Sequence, residues 1–212
     1  MGNILKSFRK SQDVANTQVA EIHVLYAPNI VGKYPNKSIP LEPATGGGYS
    51  ININSLKSAD IIVSTTNSWK SNIIKKATSS NVSHAMLYIG SGLIVESIPN
   101  GGVIERRIEE ALSDAVLAVA YRDQTLIFEQ QSKITDFALS QRGNKYDKLY
   151  AVFGDIKGID DDKMFCSELI IRAYQYAGST MIIETPQSGS PQTIVEANIS
   201  GQLKYIGHLK TE

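Results

Sequence analysis

Residues 165–174, FCSELIIRAY, form the stretch that decides the fold. Cys166 is the only cysteine of the chain, and apolar residues follow it at spacings of 3, 4, 7, 8 and 11 positions. These spacings place one apolar stripe along an α-helix. Gly178 suits the left-handed residue that commonly ends a helix. The sequence therefore predicts a helix that begins near Cys166, with the thiol in its first turn on the inward face.

Two roles are compatible with a cysteine at the start of a helix. A helix N-terminus favours the thiolate of a nucleophile, because unpaired N–H groups and the macrodipole stabilise an anion. A free cysteine is also among the residue types most often buried in a core. A single cysteine excludes an intrachain disulfide and any metal site built from several thiolates. The three histidines are too scattered to supply a zinc site, so we expect no metal and no cofactor.

The composition is that of an ordinary globular protein. The chain has 212 residues, 42% hydrophobic and 20% charged, which is enough for one domain with a sizeable core. Lys plus Arg and Asp plus Glu each number 21, so the zero net charge argues against a dominant attraction to nucleic acid or anionic membranes. No apolar run approaches the roughly 18 residues that span a bilayer. The N-terminus lacks a secretory signal, so we expect a cytoplasmic protein or one exported without a cleaved signal peptide.

Two parts are expected along the chain. Residues 27–50 carry four prolines and a triple glycine, which predicts irregular loop. Residues 1–50 are therefore predicted to be an N-terminal extension, partly irregular, and a candidate surface for a protein partner. Residues 51–212 are predicted to be the main domain.

From residue 51 onward, short strands alternate with helices. Helices are predicted at 68–77 and 125–142, the latter with Phe128 among its apolar residues, and a brief helix or turn is predicted at 108–111. Strands are predicted within 58–64 and at 82–89, 93–98, 103–106, 116–121 and 203–208, with a further strand at 21–26. Because hairpin turns join several of these strands, the predicted fold class is α+β with a mainly antiparallel sheet.

His84 is the histidine whose setting suits catalysis, although a lone strand histidine is more often structural. It begins a strand just after a polar loop, where the backbone would hold an imidazole rigidly. Glu96 on the return strand could orient this ring, depending on the turn between them. A two-residue turn places Glu96 on the opposite face. A three-residue turn at 90–92 pairs Met86 with Glu96 and puts His84 diagonally beside it, and the glycines around Ser91 allow that longer turn.

Four segments in this order resemble the circularly permuted papain-like NlpC superfamily, and its YiiX/YaeF-like branch in particular. They are Asp60–Val63, Ser83–Gly90 with Val95–Ser97, Gly143–Asp147 and Phe165–Leu169. In that superfamily the histidine strand precedes the cysteine helix, which reverses the papain order. The resemblance covers about residues 55–195 and leaves the first 50 residues outside. The related lecithin:retinol acyltransferase group has a histidine where this chain has Glu96.

The resemblance implies a permuted papain-like fold in residues 51–212, with the sheet packed against the cysteine-bearing helix. It implies a catalytic triad in which Cys166 is the nucleophile, His84 the general base and acid, and Glu96 the residue that orients His84. Tyr146 and Asp147 match a family motif that is structural or substrate-lining, and Ser83 and Phe165 are further candidate substrate-lining positions.

The implied reaction is hydrolysis of an amide through a thioester, on a cell-wall peptide or an isopeptide-like link. An effector exported by a dedicated machine would reconcile a wall substrate with the absence of a signal peptide. One alternative is a thiol-dependent lipid acyl hydrolase or acyltransferase. Another is a non-catalytic binding module on the same scaffold.

Overall fold

The computed structural model of the protein describes residues 30–33, 49–66, 82–147, 162–179, 190–199 and 202–210. The strand predicted at 21–26 and the helix predicted at 68–77 lie outside the described residues. Within them, no helix combines the length and the apolar character needed to cross a membrane.

Eight strands and four α-helices make up the described part of the chain. The strands are β1 (Ile30–Lys33), β2 (Tyr49–Ile51), β3 (Ile61–Thr66), β4 (His84–Gly90), β5 (Leu93–Ile98), β6 (Gly102–Arg107), β7 (Ala115–Arg122) and β8 (Lys204–Lys210). The helices are α1 (Ile108–Ala111), α2 (Phe128–Ser140), α3 (Cys166–Tyr176) and α4 (Pro191–Ile199), and a short 3-10 turn spans Ile53–Ser55.

All eight strands belong to one sheet, in the order β1-β2-β8-β7-β3-β4-β5-β6. Every neighbouring pair is antiparallel except β2 and β8, which pair in parallel where Ser50 faces His208. The α+β class and the mainly antiparallel sheet are therefore confirmed.

Side chains alternate between the two faces of the sheet, and each face buries its own apolar cluster. Ile61 and Val63 of β3 point to the face covered by α2, α3 and α4, whereas Ile62 points to the other face. Helix α3 buries seven of its eleven residues. Gly178, with φ +74°, follows its C-terminal end as the sequence predicted.

The β4–β5 hairpin combines features of both turns considered from the sequence. Gly90 pairs with Leu93 across a two-residue turn in which Ser91 and Gly92 both have positive φ, 52° and 75°. A bulge before Gly90 then shifts the register, so that Leu87 pairs with Val95. The strands consequently follow the register of the longer turn, which places His84 and Glu96 on one face.

Two local predictions were wrong. The long helix was predicted at 125–142, but α2 spans only Phe128–Ser140, and the Phe128 side chain at its start is 83% exposed. Only Ile134 and Ala138 of this helix are buried. The apolar stripe that packs inward is therefore narrower than the number of apolar residues in the predicted helix indicated. The loop predicted at 27–50 contains β1 and the start of β2. Whether residues 1–50 form a separate extension stays a prediction.

A buried histidine links β8 to β2. The Tyr205 hydroxyl contacts the ring of His208, and this hydroxyl also donates to the Tyr49 carbonyl at 3.1 Å and accepts from the Tyr49 N–H at 3.0 Å. Burial lowers the pKa of His208 to about 4, against the smaller opposing effect of a backbone hydrogen bond with Tyr49. His208 is therefore held neutral in the folded protein.

We expect this histidine to make the fold acid-sensitive. The unfolded chain, with a histidine pKa near 6.5, binds the proton more readily than the folded chain. Stability is therefore lost as pH falls from about 6.5 to about 4, by up to about 3 kcal/mol. Urea unfolding of wild type and His208→Gln across this range measures the effect, because other titrations are common to both proteins. A constant difference in unfolding free energy between pH 4 and 7.5 would contradict it.

Candidate active site

The thiol of Cys166 lies at the first residue of α3, as the apolar spacing predicted. Phe165 precedes it in extended conformation, and its backbone N–H donates to the Glu168 carboxylate at 3.3 Å. This contact satisfies one backbone donor at the start of the helix and helps to set where it begins. Cys166 itself is buried.

A gap between two strands receives this helix start. β4 and β5 pair only from Leu87 and Val95 towards the turn, although β4 still pairs with β3 at His84 and β5 with β6 at Ile98. The strands thus part from each other while keeping their outer neighbours. The Ala85 N–H, which points towards β5, donates to the Cys166 sulfur instead of to a strand.

The segment before the helix is tied to the same gap. The Ser97 hydroxyl on β5 donates to the carbonyl of Met164 at 2.6 Å. Helix α3 accordingly packs against both β4 and β5. The first turn of the cysteine helix therefore docks at the head of the histidine strand.

His84 stands between a thiol and a carboxylate. Its side chain is hydrogen-bonded to Cys166, and its Nε2 contacts Oε2 of Glu96. Because Glu96 occupies Nε2, the other ring nitrogen, Nδ1, is left to face the sulfur. The His84 side chain is 23% exposed, so the ring is partly accessible from outside.

Glu96 is held by two cations and has no exposed surface. Its Oε2 contacts His84, and its Oε1 contacts Nε of Arg106 on β6. The structure thus brings together the three residues named from the sequence, Cys166, His84 and Glu96, and adds Arg106 as a fourth member of the chain of contacts.

The electrostatics favour a thiolate beside an imidazolium. Burial alone would lower the pKa of His84, but hydrogen bonds and charges from Cys166 and Glu96 outweigh it and raise this pKa to about 10. Burial alone would raise the pKa of Cys166, yet the His84 contact and charge lower it, helped by the N–H groups of Ala85 and Ser167. The pair therefore lowers the cost of ionising both groups.

Glu96 supplies the negative charge behind the imidazole. Burial alone would raise the pKa of this carboxyl, but the hydrogen bonds and charges of His84 and then Arg106 hold it below its usual range. Glu96 therefore stays ionised at neutral pH, which keeps an acceptor facing Nε2 of His84.

The four predicted lining residues differ in their burial and in their contacts. Tyr146 is half-buried, and burial together with the charges of Cys166 and Asp147 raises the pKa of its hydroxyl, so Tyr146 stays protonated near the sulfur. The Asp147 N–H donates to the Met164 carbonyl at 3.4 Å, beside the helix start. Phe165 and Ser83 are both buried, and the Ser83 N–H pairs with β3. Their role as substrate-lining positions stays a prediction.

Two contributors were missed from the sequence. The Ala85 N–H has no side-chain signature, since any residue could supply it. Arg106 could have been found by extending the strand register across the second hairpin. Ile104 faces Glu96, so Arg106 lies two residues along on the same face.

Residues 55–206 match the family described as permuted papain-like amidase enzymes, YaeF/YiiX, C92 family. The chain belongs to this family. As a YaeF/YiiX-type amidase it is a cysteine amidase-type enzyme of the papain-like class, with the histidine strand 82 positions before the cysteine helix. No curated protein sequence matches the amidase chain significantly.

A solved structure supports the fold of this YaeF/YiiX-type amidase. The metalloprotein yiiX from Escherichia coli O157:H7 is similar to it with a TM-score of 0.50 and 22% sequence identity. The match covers 73% of this chain and 88% of the yiiX chain. The permuted papain-like architecture expected from the motifs is therefore confirmed.

The description of yiiX as a metalloprotein raises the question of whether this amidase has suitable ligands. Among its described residues, no group of three or more His, Cys, Asp or Glu side chains could hold a metal ion. His84, Cys166 and Glu96 do lie together, but one carboxylate oxygen of Glu96 already contacts Arg106. The described donor set therefore does not fit a metal centre.

Proposed function

We propose that this amidase hydrolyses amide bonds through a thioester acyl-enzyme, with Cys166 as nucleophile and His84 as general base and acid. Glu96 orients His84 in this proposal. The observation that carries it is the contact of the sole thiol with an imidazole whose far nitrogen is held by a buried carboxylate. Acyl transfer by a thiol requires a nucleophile, a base in contact with it and a group that orients this base. The contacts from Cys166 to His84 to Glu96 supply all three.

Acylation begins from the thiolate and the imidazolium. The Cys166 sulfur attacks the amide carbon and forms the carbon–sulfur bond, which places negative charge on the carbonyl oxygen. The backbone N–H of Cys166, at the helix start, is a natural donor to that oxyanion. The His84 imidazolium gives its proton to the amide nitrogen, the carbon–nitrogen bond breaks, and the amine leaves.

Deacylation uses the imidazole left neutral by the first half. His84 takes a proton from water while the water oxygen attacks the thioester carbon. The carbon–sulfur bond then breaks, releasing a carboxylic acid and restoring the thiolate beside the imidazolium. Glu96 keeps the same ring orientation for both transfers, which each half-reaction needs in turn.

The proposal predicts an acyl adduct on one residue only. The probes are peptide 4-nitroanilides and a short cell-wall-type peptide, with acid quenching followed by mass spectrometry of the intact protein. We expect an acyl mass on wild type and none on Cys166→Ala, whose kcat/KM should fall at least about a thousandfold. Because the chain has one cysteine, the labelled thiol is unambiguous.

Two outcomes would contradict the proposal. Undiminished amide hydrolysis by Cys166→Ala would exclude this thiol as the nucleophile. Turnover of long-chain 4-nitrophenyl esters, with no adduct from any amide, would favour a lipid acyl hydrolase.

A further inference from the structure

The carboxylate of Glu96 divides its two oxygens between two strands. Oε2 contacts His84 on β4, and Oε1 contacts Arg106 on β6. Among the described residues, these two are the charged groups that face Glu96 from the strands beside it. The carboxylate therefore has one partner on each side, and neither oxygen faces solvent.

The sheet register produces this arrangement. Glu96 faces Ile104 on β6, and Arg106 lies two residues further along. On β4, the pairing of Leu87 with Val95 places His84 diagonally in the opposite direction along the strands. Diagonal neighbours on one face are within reach of long side chains, so three successive strands supply three consecutive members of one chain of contacts.

We propose that Arg106 is a positioning residue, whose guanidinium orients the Glu96 carboxylate so that this carboxylate in turn orients His84. This inference rests on the proposed function, because it explains how the orienting carboxylate is itself held. Arg106 acts through Glu96 and not on the substrate.

Burial is the reason that a second partner matters. A carboxylate with no exposed surface cannot replace a lost hydrogen bond with water, so removing Arg106 leaves Oε1 without its cation. Glu96 can then take up a proton or rotate towards another donor. Either response weakens the acceptor at Nε2 of His84, and the imidazolium that stabilises the thiolate is weakened with it.

The guanidinium geometry also matters. Arg106 donates through Nε, and the planar group limits how the carboxylate can turn. A lysine at this position would restore the charge but not the planar donor. The pKa of the Cys166 thiol in Arg106→Lys is therefore expected to lie between its values in wild type and in Arg106→Gln.

Alkylation of the sole thiol by iodoacetamide, followed as a function of pH, tests the inference without any substrate. In wild type, Cys166 should react well below the pH at which an ordinary thiol ionises. In Arg106→Gln we expect the midpoint of the pH profile to rise by about one unit, which lowers the rate roughly tenfold at pH values below the wild-type midpoint. Where a substrate is found, kcat should fall with little change in KM, because Arg106 orients the catalytic base.

Arg107→Gln is the matched control. Arg107 is the next residue on β6, its side chain is 59% exposed, and it pairs with Glu109 at 3.4 Å on the surface. This variant should keep the wild-type profile. If Arg106→Gln proves too unstable to study, Arg106→Lys carries the same test with a smaller expected shift.

The outcomes separate this inference from the proposed function. A wild-type alkylation profile in Arg106→Gln and Arg106→Lys, together with a shifted profile in Glu96→Gln, would overturn the role of Arg106. If the wild-type protein hydrolyses no amide and Arg106→Gln still shifts the alkylation profile, the positioning role is supported and the proposed function is contradicted.

Discussion

Replacement of His84 by alanine is expected to lower kcat/KM for amide hydrolysis by about 10⁴-fold. Two losses combine in this one substitution. The thiol loses the imidazolium that favours its ionised form, and the leaving amine loses its proton donor. Glu96 and Arg106 cannot compensate, because neither contacts the sulfur in place of the ring.

The pH dependence gives the same prediction a second readout. In wild type, the ion pair exists from the lowered pKa of Cys166 up to the His84 pKa of about 10. Below that window the thiolate is protonated, and above it the imidazolium loses its proton. His84→Ala removes the plateau, so thiol alkylation should rise only as an ordinary buried thiol ionises.

Glu96→Gln provides the graded comparison for His84→Ala. An amide retains some hydrogen bonding to the ring but removes the negative charge, so the activity should lie between those of wild type and His84→Ala. Circular dichroism should confirm that both variants are folded. A wild-type rate in His84→Ala would exclude this histidine from the chemistry.

Gly102→Ala is expected to be the most destabilising single methyl addition near the site. Gly102 has φ +65°, and a Cβ at this position would lie 2.0 Å from the carbonyl oxygen of Asn144. That oxygen accepts from the Val103 N–H at 2.9 Å, which joins β6 to the loop that carries Tyr146. Left-handed strain of about 1–3 kcal/mol and overpacking of about 1–3 kcal/mol together predict a loss of roughly 2–6 kcal/mol.

Gly143→Ala is the matched control for this steric effect. Gly143 also has a positive φ, 91°, but a Cβ there would meet nothing within 4 Å. It should therefore lose only the strain, about 1–3 kcal/mol. Urea unfolding compares the two variants, and equal losses would show that the contact with Asn144 is not what requires glycine at 102.

The local features of the site were largely predictable from the chain. The apolar spacing after Cys166 predicted the helix start, and the structure has α3 at Cys166–Tyr176. The turn residues around Ser91 allowed a register that puts His84 beside Glu96, and the structure adopts that register through a two-residue turn and a bulge. Both predictions depend on residues that are near one another in sequence, where periodicity and turn geometry are informative.

The features that were not predicted depend on distant parts of the chain. The parallel pairing of β2 with β8 joins Ser50 to His208, and neither segment carries a signal for the other. The exposure of Phe128 does not follow from the sequence, because the helix period describes which residues share a face and not which face meets the sheet.

Spacing along the chain therefore determines which residues are candidates for the site, because helix and hairpin periodicities act over a few neighbouring positions. The tertiary structure alone decides which contacts those residues make. The parting of β4 from β5 admits the helix start and turns the Ala85 N–H towards the sulfur. The neighbouring β6 brings Arg106 to a carboxylate that has no contact with water. Burial gives these contacts their strength, and burial depends on strands and helices that pack together from separate parts of the sequence.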